Sequence, residues 1–280
     1  MAGIRVVTDS SCDLPQALAD ELGIEIVPLS IRFGAEEFTD RLDLDPASFW
    51  SRCAASPTLP ETAAPSPGQF AEAFQRAAQA GADGVVCITI SSKMSATIQS
   101  ARIAADEVAS TIAVRVVDSL NASLGVGLTV VSAARMASAG KGIDDVAGEA
   151  EDLVGRTRLL AAIDTLENLR KGGRIGGAQA FLGSMLSIKP LIAVRDGEVH
   201  EESKQRTRSR AVGYLVDKVK AMGPLDMLGV MHGEAPDVDD LVAKLSGIVD
   251  PDDLVVNDIG SVIGTHVGKG CIGIVAQLSK

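Results

Sequence analysis

Short runs rich in valine and isoleucine alternate along this chain with longer segments whose apolar residues recur at helical spacing. The runs "IRVVTDS" at 4–10, "GVVCITI" at 84–90 and "AVRVVDS" at 113–119 predict strands that are buried on both faces. The longer run "IEIVPLSIRF" at 24–33 predicts one further strand. This alternation is typical of layered α/β folds, in which helices cover a mostly parallel sheet.

The second half of the chain repeats the alternation with a different strand pattern. A strand is predicted at 159–165, a helix over "AQAFLGSML" at 178–186 and a hairpin in "KPLIAVRDGEVHEE", where Asp196-Gly197 separates two strand patterns. Further strands and helices follow, and "CIGIVAQL" near the C-terminus predicts a final strand. The hairpin predicts a mixed rather than an all-parallel sheet in this half.

We therefore predict two α/β domains. The first, 1–158, holds a mostly parallel three-layer sheet, and the second, 159–280, holds a mixed sheet. The helix at about 67–80 is a candidate to pack with the second domain.

Composition excludes several functions. The formal charge of -11 argues against general binding to nucleic acid, and aromatic residues make up only 3% of the chain, so stacking platforms for bases are scarce. The four cysteines are widely scattered without a CxxC pair, so neither a metal site nor a disulfide framework is predicted. With no signal peptide and no long apolar stretch, we expect a cytoplasmic protein without stable membrane insertion.

Polar side chains follow three of the predicted strands at their carboxyl ends, where open α/β sheets bind ligands. They come from "TDSSCDLP", "ISSKMSATIQSA" and "VVDSLNAS", and the candidates for a polar rim are Asp9, Ser10, Ser95 and Asn121. Each of these residues alone is also a common helix cap. Together they predict a polar rim over one edge of the sheet.

The glycine-rich segment "SVIGTHVGKGCIG" at 261–273 contains one of only three histidines, His266. "GKGCIG" formally matches a dinucleotide fingerprint, but it precedes a strand rather than a helix, and no acidic residue follows at the required distance. The phosphate-loop spacing is one residue short, and the chain contains no GxSxG nucleophile elbow. A tight connection between two strands and a ligand-holding loop remain as interpretations.

Taken in order, six motifs resemble the signatures of the DegV family. They are "VTDSSCDLP", "PSPGQF", "ISSKMSATIQSA", "VVDSLNASLG", "LENLRKGGRIG" and "GSVIGTHVGKG". The resemblance implies a two-domain α/β protein that holds a long-chain fatty acid in a buried tunnel between its domains, as the non-catalytic subunit of a bacterial fatty acid kinase in phospholipid metabolism. A separate ATP-dependent kinase would then phosphorylate the acyl carboxylate, and no cofactor would be needed.

The same resemblance implies which residues bind the fatty acid carboxylate. The matching positions are Thr62, Ser91 or Ser92, Arg174, His266 and its neighbour Thr265. By the same resemblance, the kinase would dock on the basic segment that contains Arg206, Arg208 and Arg210, and the protein alone would be a monomer.

Because the sequence departs from the family pattern at several positions, the resemblance does not determine the preferred fatty acid. Lys93, Met94, Ala96 and Ile98 replace the family's usual residues, so the preferred chain length and unsaturation are not fixed. The choice between Ser91 and Ser92 is also open. The alternatives to a carrier are a stand-alone acyl or phosphoester hydrolase, and a lipid storage or sensing protein without a kinase partner.

Overall fold

The computed structural model describes residues 3–183 and 188–280. The strands are β1 Ile4–Asp9, β2 Glu25–Val27, β3 Ser30–Phe33, β4 Glu36–Thr39, β5 Glu61–Ala63, β6 Gly84–Thr89, β7 Val114–Asp118, β8 Thr157–Ala162, β9 Lys189–Arg195, β10 Glu198–Gln205, β11 Leu225–His232, β12 Leu254–Asp258 and β13 Ile272–Leu278. The α-helices are α1 Gln16–Glu21, α2 Pro46–Ala55, α3 Pro67–Gln79, α4 Thr97–Glu107, α5 Leu124–Ser138, α6 Ile143–Arg156, α7 Glu167–Lys171, α8 Arg208–Lys220, α9 Val238–Leu245 and α10 Ser261–Val267.

A parallel sheet with the strand order β2-β1-β6-β7 forms the centre of the first half. Successive side chains of β1 point to opposite faces, so Val7 packs against helices α3 and α4 while Val6 packs on the side of α5 and α6. Burial on both faces explains why the strands read as continuous apolar runs. The predicted parallel sheet with a helix layer on each face is confirmed.

A six-stranded mixed sheet with the order β10-β9-β8-β13-β11-β12 forms the second half. Helices α8 and α9 cover one face, and α5 packs on the other face against β8, β11 and β13. Helix α5 therefore lies between the two sheets and contributes to one continuous core with both. The predicted hairpin joins β9 to β10, and both turn residues have positive φ, 50° at Asp196 and 83° at Gly197.

Three parts of the predicted fold need correction or lie outside the structure. The run 24–33 forms two strands, because Pro28 has no N–H for a strand ladder and separates β2 from β3. Strand β3 instead joins β4 and β5 in a small antiparallel sheet, which the sequence analysis did not predict. The predicted helix at 178–186 begins as a 3-10 segment, Gly176–Gly183, and the rest of it falls outside the described residues.

The domain boundary near residue 158 stays a prediction, although the two large sheets draw their strands from opposite sides of it. Helix α3 has its main contacts with α4, β1, β2 and β6, all from the first half of the chain. Its apolar face, which includes Phe70 and Phe74, is buried there. No described helix combines the length and apolar character that a membrane span requires.

Candidate functional site

An apolar cavity of about 190 Å³ lies between the two halves. Leu159, Ala161, Ile192 and Val194 of the mixed sheet form one wall. The opposite wall comes from the segment after β6, the start of α5 and helix α10. The lining from these elements includes Ile90, Met94, Ala96, Ala122, Ser123, Val262 and Ile263. Met94 and Ala96, two positions at which the sequence departs from the family pattern, are thus part of the cavity wall.

Thr62 and His266 meet at one end of this cavity. Thr62 Oγ1 lies 3.1 Å from His266 Nε2, although the two residues are 204 positions apart in sequence. Thr62 is held by β5, where it pairs with Ile31 of β3, and His266 lies in the last turn of α10. Helix α10 packs against β3, β5 and α7, so the small antiparallel sheet positions this pair.

Arg174 is the third polar group that lines the same end. It lies in the turn after α7, and its Nε donates to the carbonyl of Met94 at 3.1 Å while Nη1 donates to the carbonyl of Gly172 at 2.6 Å. No carboxylate among the described residues forms an ion pair with it. A guanidinium has five N–H donors and these two bonds use two of them, so three N–H groups and a positive charge without a described carboxylate partner remain beside the cavity.

The imidazole of His266 is largely buried, and its pKa is lowered to about 4, first by burial and then by the positive charge of Arg174. The ring is therefore neutral near pH 7, with one nitrogen protonated. Nδ1 has no hydrogen-bond partner among the described residues. An anion that replaces the mutual Thr62–His266 bond can therefore accept from the Thr62 hydroxyl, from the imidazole N–H and from the Arg174 guanidinium.

A second, polar pocket of about 440 Å³ adjoins the first at these three residues. It shares Thr62, Arg174 and His266 with the apolar cavity, and its other walls include the exposed side chains of Glu61 and Lys171. The three donors therefore stand at the boundary between an apolar interior and a polar surface pocket. A molecule with a long apolar body and an anionic head matches that boundary.

The structure places the two predicted serines away from the cavity. Ser91 is fully buried, and its Oγ donates to the carbonyl of Gly197 at 2.7 Å, which fastens the strand end to the hairpin turn. Ser92 uses its backbone N–H to bind Asp118 Oδ1 at 3.2 Å. Neither serine lines the cavity, whereas Ser95 does. After β6 the chain turns so that Ser95, the third serine of the segment "ISSKMS", lines the apolar cavity, whereas Ser91 and Ser92 do not.

The other predicted binding residues serve the local structure. Thr265 Oγ1 donates to the carbonyl of Ser261 within α10 at 2.8 Å, and Thr265 lines the polar pocket but not the apolar cavity. Asp9 accepts the N–H of Ile90 at 2.8 Å, and Ser10 Oγ accepts the N–H of Leu29 at 3.0 Å. Asn121 lies at 4% exposure beside a different pocket. Of the predicted rim, only Ser95 reaches the cavity.

The glycine-rich segment is not a tight connection between strands. Its first part forms helix α10, and only Gly268 and Gly270 adopt positive φ, at 80° and 81°. Gly264 allows the helix to approach Phe49 closely, since an added Cβ would lie 2.7 Å from that ring. Gly264 therefore marks close packing, and helix α10 sets the position of His266.

Gly172 packs directly on His266, and the sequence analysis did not identify it. A Cβ at this position would lie 2.5 Å from His266 Nδ1. We expect Gly172→Ala to displace the ring from Thr62 and to weaken binding of a carboxylate ligand about 10-fold, the cost of roughly one hydrogen bond to a charged group. Titration calorimetry with palmitate tests this. Gly213→Ala, where the added methyl meets open space, is the control and should bind normally.

Asp13 ties the start of α10 to the first half of the chain. Its carboxylate accepts the hydroxyl of Ser123 at 2.5 Å and the N–H of Gly260 at 2.9 Å. Burial raises the pKa of Asp13 to about 7, against the hydrogen bonds from Ser123 and Gly260, which lower it; the charge of Asp40 adds to the shift and that of Arg41 opposes it. The carboxyl group is therefore partly protonated at neutral pH.

This raised pKa predicts a pH-dependent stability. The folded chain holds a proton on Asp13 that the unfolded chain has lost, so this stabilisation is complete below about pH 4 and disappears as pH rises through 7. Relative to Asp13→Asn, the free energy of unfolding of the wild type should fall by on the order of 2 kcal/mol between pH 5 and pH 7. Urea denaturation at both pH values measures it. Parallel pH profiles for the two proteins would contradict the assignment.

The three predicted docking arginines differ in their environment. Arg208 forms a bidentate pair with Asp237, at 2.8 Å for both bonds, and also donates to the carbonyl of Gly270. This arginine therefore connects the start of α8 to neighbouring loops, and its guanidinium is occupied by these hydrogen bonds. Arg206 and Arg210 are exposed and form no ion pair within the described parts of the chain.

Over residues 3–183 and 188–280, no three His, Cys, Asp or Glu side chains gather in a way that could hold a metal ion. The cavity, the polar groups at its end and the adjoining polar pocket form the candidate site.

Comparison with known proteins agrees with this architecture. The model of the DegV family, described as an uncharacterised protein family, matches residues 3–278. A DegV domain-containing protein of Mycobacterium tuberculosis is 37% identical over 278 residues, which span 97% of this chain and 96% of that protein.

Two solved structures share the fold over their full length. A DegV family protein from Thermus thermophilus, described with fatty acid binding, has a TM-score of 0.90 and 33% identity, covering 99% of this chain and 100% of that one. DegV from Bacillus subtilis, described as a fatty acid binding protein, has a TM-score of 0.87 and 28% identity, with 100% of both chains covered. On the family match and the relatives together, this chain belongs to the DegV family.

Proposed function

We propose that this chain binds a long-chain fatty acid, with the acyl chain in the apolar cavity and the carboxylate at Thr62, His266 and Arg174. The observation that carries the proposal is the position of these three donors at the end of an apolar cavity. The fatty acid binding described for the relatives from Thermus thermophilus and Bacillus subtilis supports the same ligand class.

The energetics of such a ligand fit the site. Each buried methylene contributes roughly 0.8 kcal/mol, so a long acyl chain supplies most of the affinity. A carboxylate without hydrogen-bond donors would cancel much of that gain, because an unpaired buried charge is very costly. The uncompensated guanidinium of Arg174 and the donors of Thr62 and His266 remove this penalty.

We further propose that the chain presents the carboxylate to a separate ATP-dependent fatty acid kinase and does not itself catalyse the phosphorylation. The three donors border a polar pocket whose walls include exposed side chains, so the carboxylate can be reached from outside while the acyl chain stays buried. The exposed Arg206 and Arg210 are the proposed docking cations for that kinase, whereas Arg208 supports the local fold.

Hydrolysis of acyl esters is the second candidate, because the Thr62–His266 contact is of the kind that pairs a nucleophile with a base. Two observations oppose it. The lowered pKa of His266, about 4, makes it a weak proton acceptor at neutral pH. Its Nδ1 also has no carboxylate partner to orient the ring among the described residues.

The distinguishing experiment incubates the purified chain, loaded with radiolabelled palmitate, with ATP and with or without a bacterial fatty acid kinase. Hydroxylamine traps acyl phosphate as a hydroxamate. We expect hydroxamate only when the kinase is present, and no release of nitrophenol from p-nitrophenyl palmitate by the chain alone. Ester turnover that His266→Ala abolishes would favour the hydrolase instead.

The docking surface has its own test in the same assay. Arg206→Glu together with Arg210→Glu should lower the kinase-dependent rate at least 10-fold without changing palmitate affinity, because like charges would then oppose an acidic partner. Arg102→Glu, an exposed charge reversal on α4, is the matched control. A rate that the double reversal leaves unchanged would place the kinase contact elsewhere, whereas a wild type without any kinase-dependent rate would favour a storage or sensing protein that has no kinase partner.

A further inference from the structure

A further polar pocket, of about 420 Å³, lies beyond the end of the apolar cavity that is remote from His266. Val194 lines both spaces, and on β8 the cavity residue Leu159 shares one face with Thr157, which lines this pocket. Helix α10, which carries His266, leads instead into β13, whose first residue pairs with Ala162 at the opposite end of β8. This far pocket, which Thr157 and Val194 line, therefore adjoins the cavity at the end away from His266.

The hydroxyl of Thr157 is buried there without a partner. The residue is 4% exposed, and its Oγ1 has no hydrogen bond within the described parts of the chain. Gln277 of β13 pairs with Thr157 across the two strands and is fully buried. Its Oε1 accepts the hydroxyl of Ser132 at 3.0 Å, but its Nε2 has no partner among the same residues. Because buried polar groups are almost always hydrogen-bonded, these two atoms favour a ligand with a hydrogen-bonding group at that end.

We infer that the far pocket receives the end of the acyl chain and that the protein selects long-chain fatty acids with a hydroxyl group on the terminal carbon. This inference rests on the proposed function. A terminal hydroxyl can donate to Thr157 Oγ1 and accept from Gln277 Nε2, whereas a terminal methyl group satisfies neither atom. Thr157 lies about 13 Å along β8 from Ala161 of the cavity wall, so only a long chain can reach it.

A second carboxylate is the competing end group, because Arg158 also lines the far pocket. Its Nη1 donates to the carbonyls of Gly155 and Thr157, at 2.8 Å and 3.2 Å, and no carboxylate within the described residues pairs with it. The arginine is exposed, however, while Thr157 and Gln277 are buried and uncharged. A charge placed at these two side chains would lose its hydration without gaining a counter-ion, so they favour the neutral hydroxyl.

Pairs of ligands with equal acyl length test this specificity. Each ω-hydroxy acid from 12-hydroxydodecanoate to 18-hydroxyoctadecanoate is compared with its unsubstituted parent acid by titration calorimetry at pH 7. At the length that reaches Thr157, the wild type should bind the hydroxy acid at least as tightly as the parent. In a wholly apolar end, the unpaired hydroxyl would instead weaken binding by about 10-fold or more.

Thr157→Val keeps the shape of the side chain and removes the hydroxyl group. At that ligand length it should weaken binding of the hydroxy acid about 5-fold, the contribution of one neutral hydrogen bond, and change binding of the parent acid by less than about 2-fold. Thr157→Ser retains the hydroxyl and should bind both ligands as the wild type does. Thr129→Val is the matched control, because it removes a buried hydroxyl that donates to the carbonyl of Gly125 within α5 and lines neither space. It should leave the ratio of the two affinities unchanged.

The proposed function and the specificity of the far pocket can fail separately. If the wild type binds neither the parent acids nor the hydroxy acids, the proposed function fails, and this inference fails with it. If the parent acids bind but every hydroxy acid binds about 10-fold more weakly, or Thr157→Val leaves the ratio of affinities unchanged at every length, the proposed function stands and the inference is wrong. If hexadecanedioate binds more tightly than 16-hydroxyhexadecanoate and Arg158→Ala abolishes that preference, the far pocket takes a carboxylate, and its assignment to a hydroxyl is overturned.

Discussion

Thr62→Val should weaken palmitate binding by about 10- to 100-fold while the protein stays folded. Valine keeps the shape of the side chain but removes the hydroxyl group that lies 3.1 Å from His266 Nε2 at the cavity end. A hydrogen bond to a charged group contributes about 1.5–3 kcal/mol, and each 1.4 kcal/mol corresponds to a tenfold change in affinity. Displacement of a fluorescent fatty acid measures the effect.

Thr265→Val is the matched control for this substitution. It removes a hydroxyl group from a neighbour of His266, but that hydroxyl donates to the carbonyl of Ser261 and does not line the apolar cavity. Its palmitate affinity should stay within about 2-fold of the wild type. Equal losses in the two variants would mean that the effect comes from disturbing α10 and not from the carboxylate.

The affinity of the wild type for saturated fatty acids should rise about 4-fold with each added methylene, until the chain fills the available space. This slope follows from roughly 0.8 kcal/mol per buried methylene. Ala161 lies in the wall of the cavity at 2% exposure, so Ala161→Phe should fill part of that space. Palmitate affinity should then fall more than 100-fold, since roughly four methylenes lose their burial.

Octanoate provides the control for the blocked cavity, because a short chain needs only the region near the head group. Its affinity should change little in Ala161→Phe, and thermal unfolding should show a single cooperative transition. An affinity that does not depend on chain length in the wild type would place the acyl chain outside this cavity.

The fold was predictable from the sequence where the local residue pattern and the burial of an element both favour the same secondary structure. The runs at 84–90 and 113–119 became inner strands because burial on both faces requires continuous apolar sequence. Asp196-Gly197 formed the predicted turn because both positions require positive φ. The sequence analysis overlooked Pro28. This residue ends β2, and the residues after it form β3 in the small antiparallel sheet.

The site was only partly predictable. Thr62, Arg174 and His266 lie together as the resemblance implied, but the spacing of residues within a motif does not determine which serine of a strand end faces inward. The hydroxyl of Ser91 instead donates to the carbonyl of Gly197, which lies 106 positions later in the sequence. Such long-range contacts, like that of Gly172 with His266, are determined by tertiary packing and leave no local pattern.

Native mass spectrometry of the chain purified from bacterial cells tests the central claim most directly. We predict a complex of one chain with one long-chain fatty acid, which added palmitate exchanges and which Thr62→Val and Ala161→Phe both deplete. A chain that is uniformly free of ligand and that also fails to take up added palmitate or oleate would contradict the account.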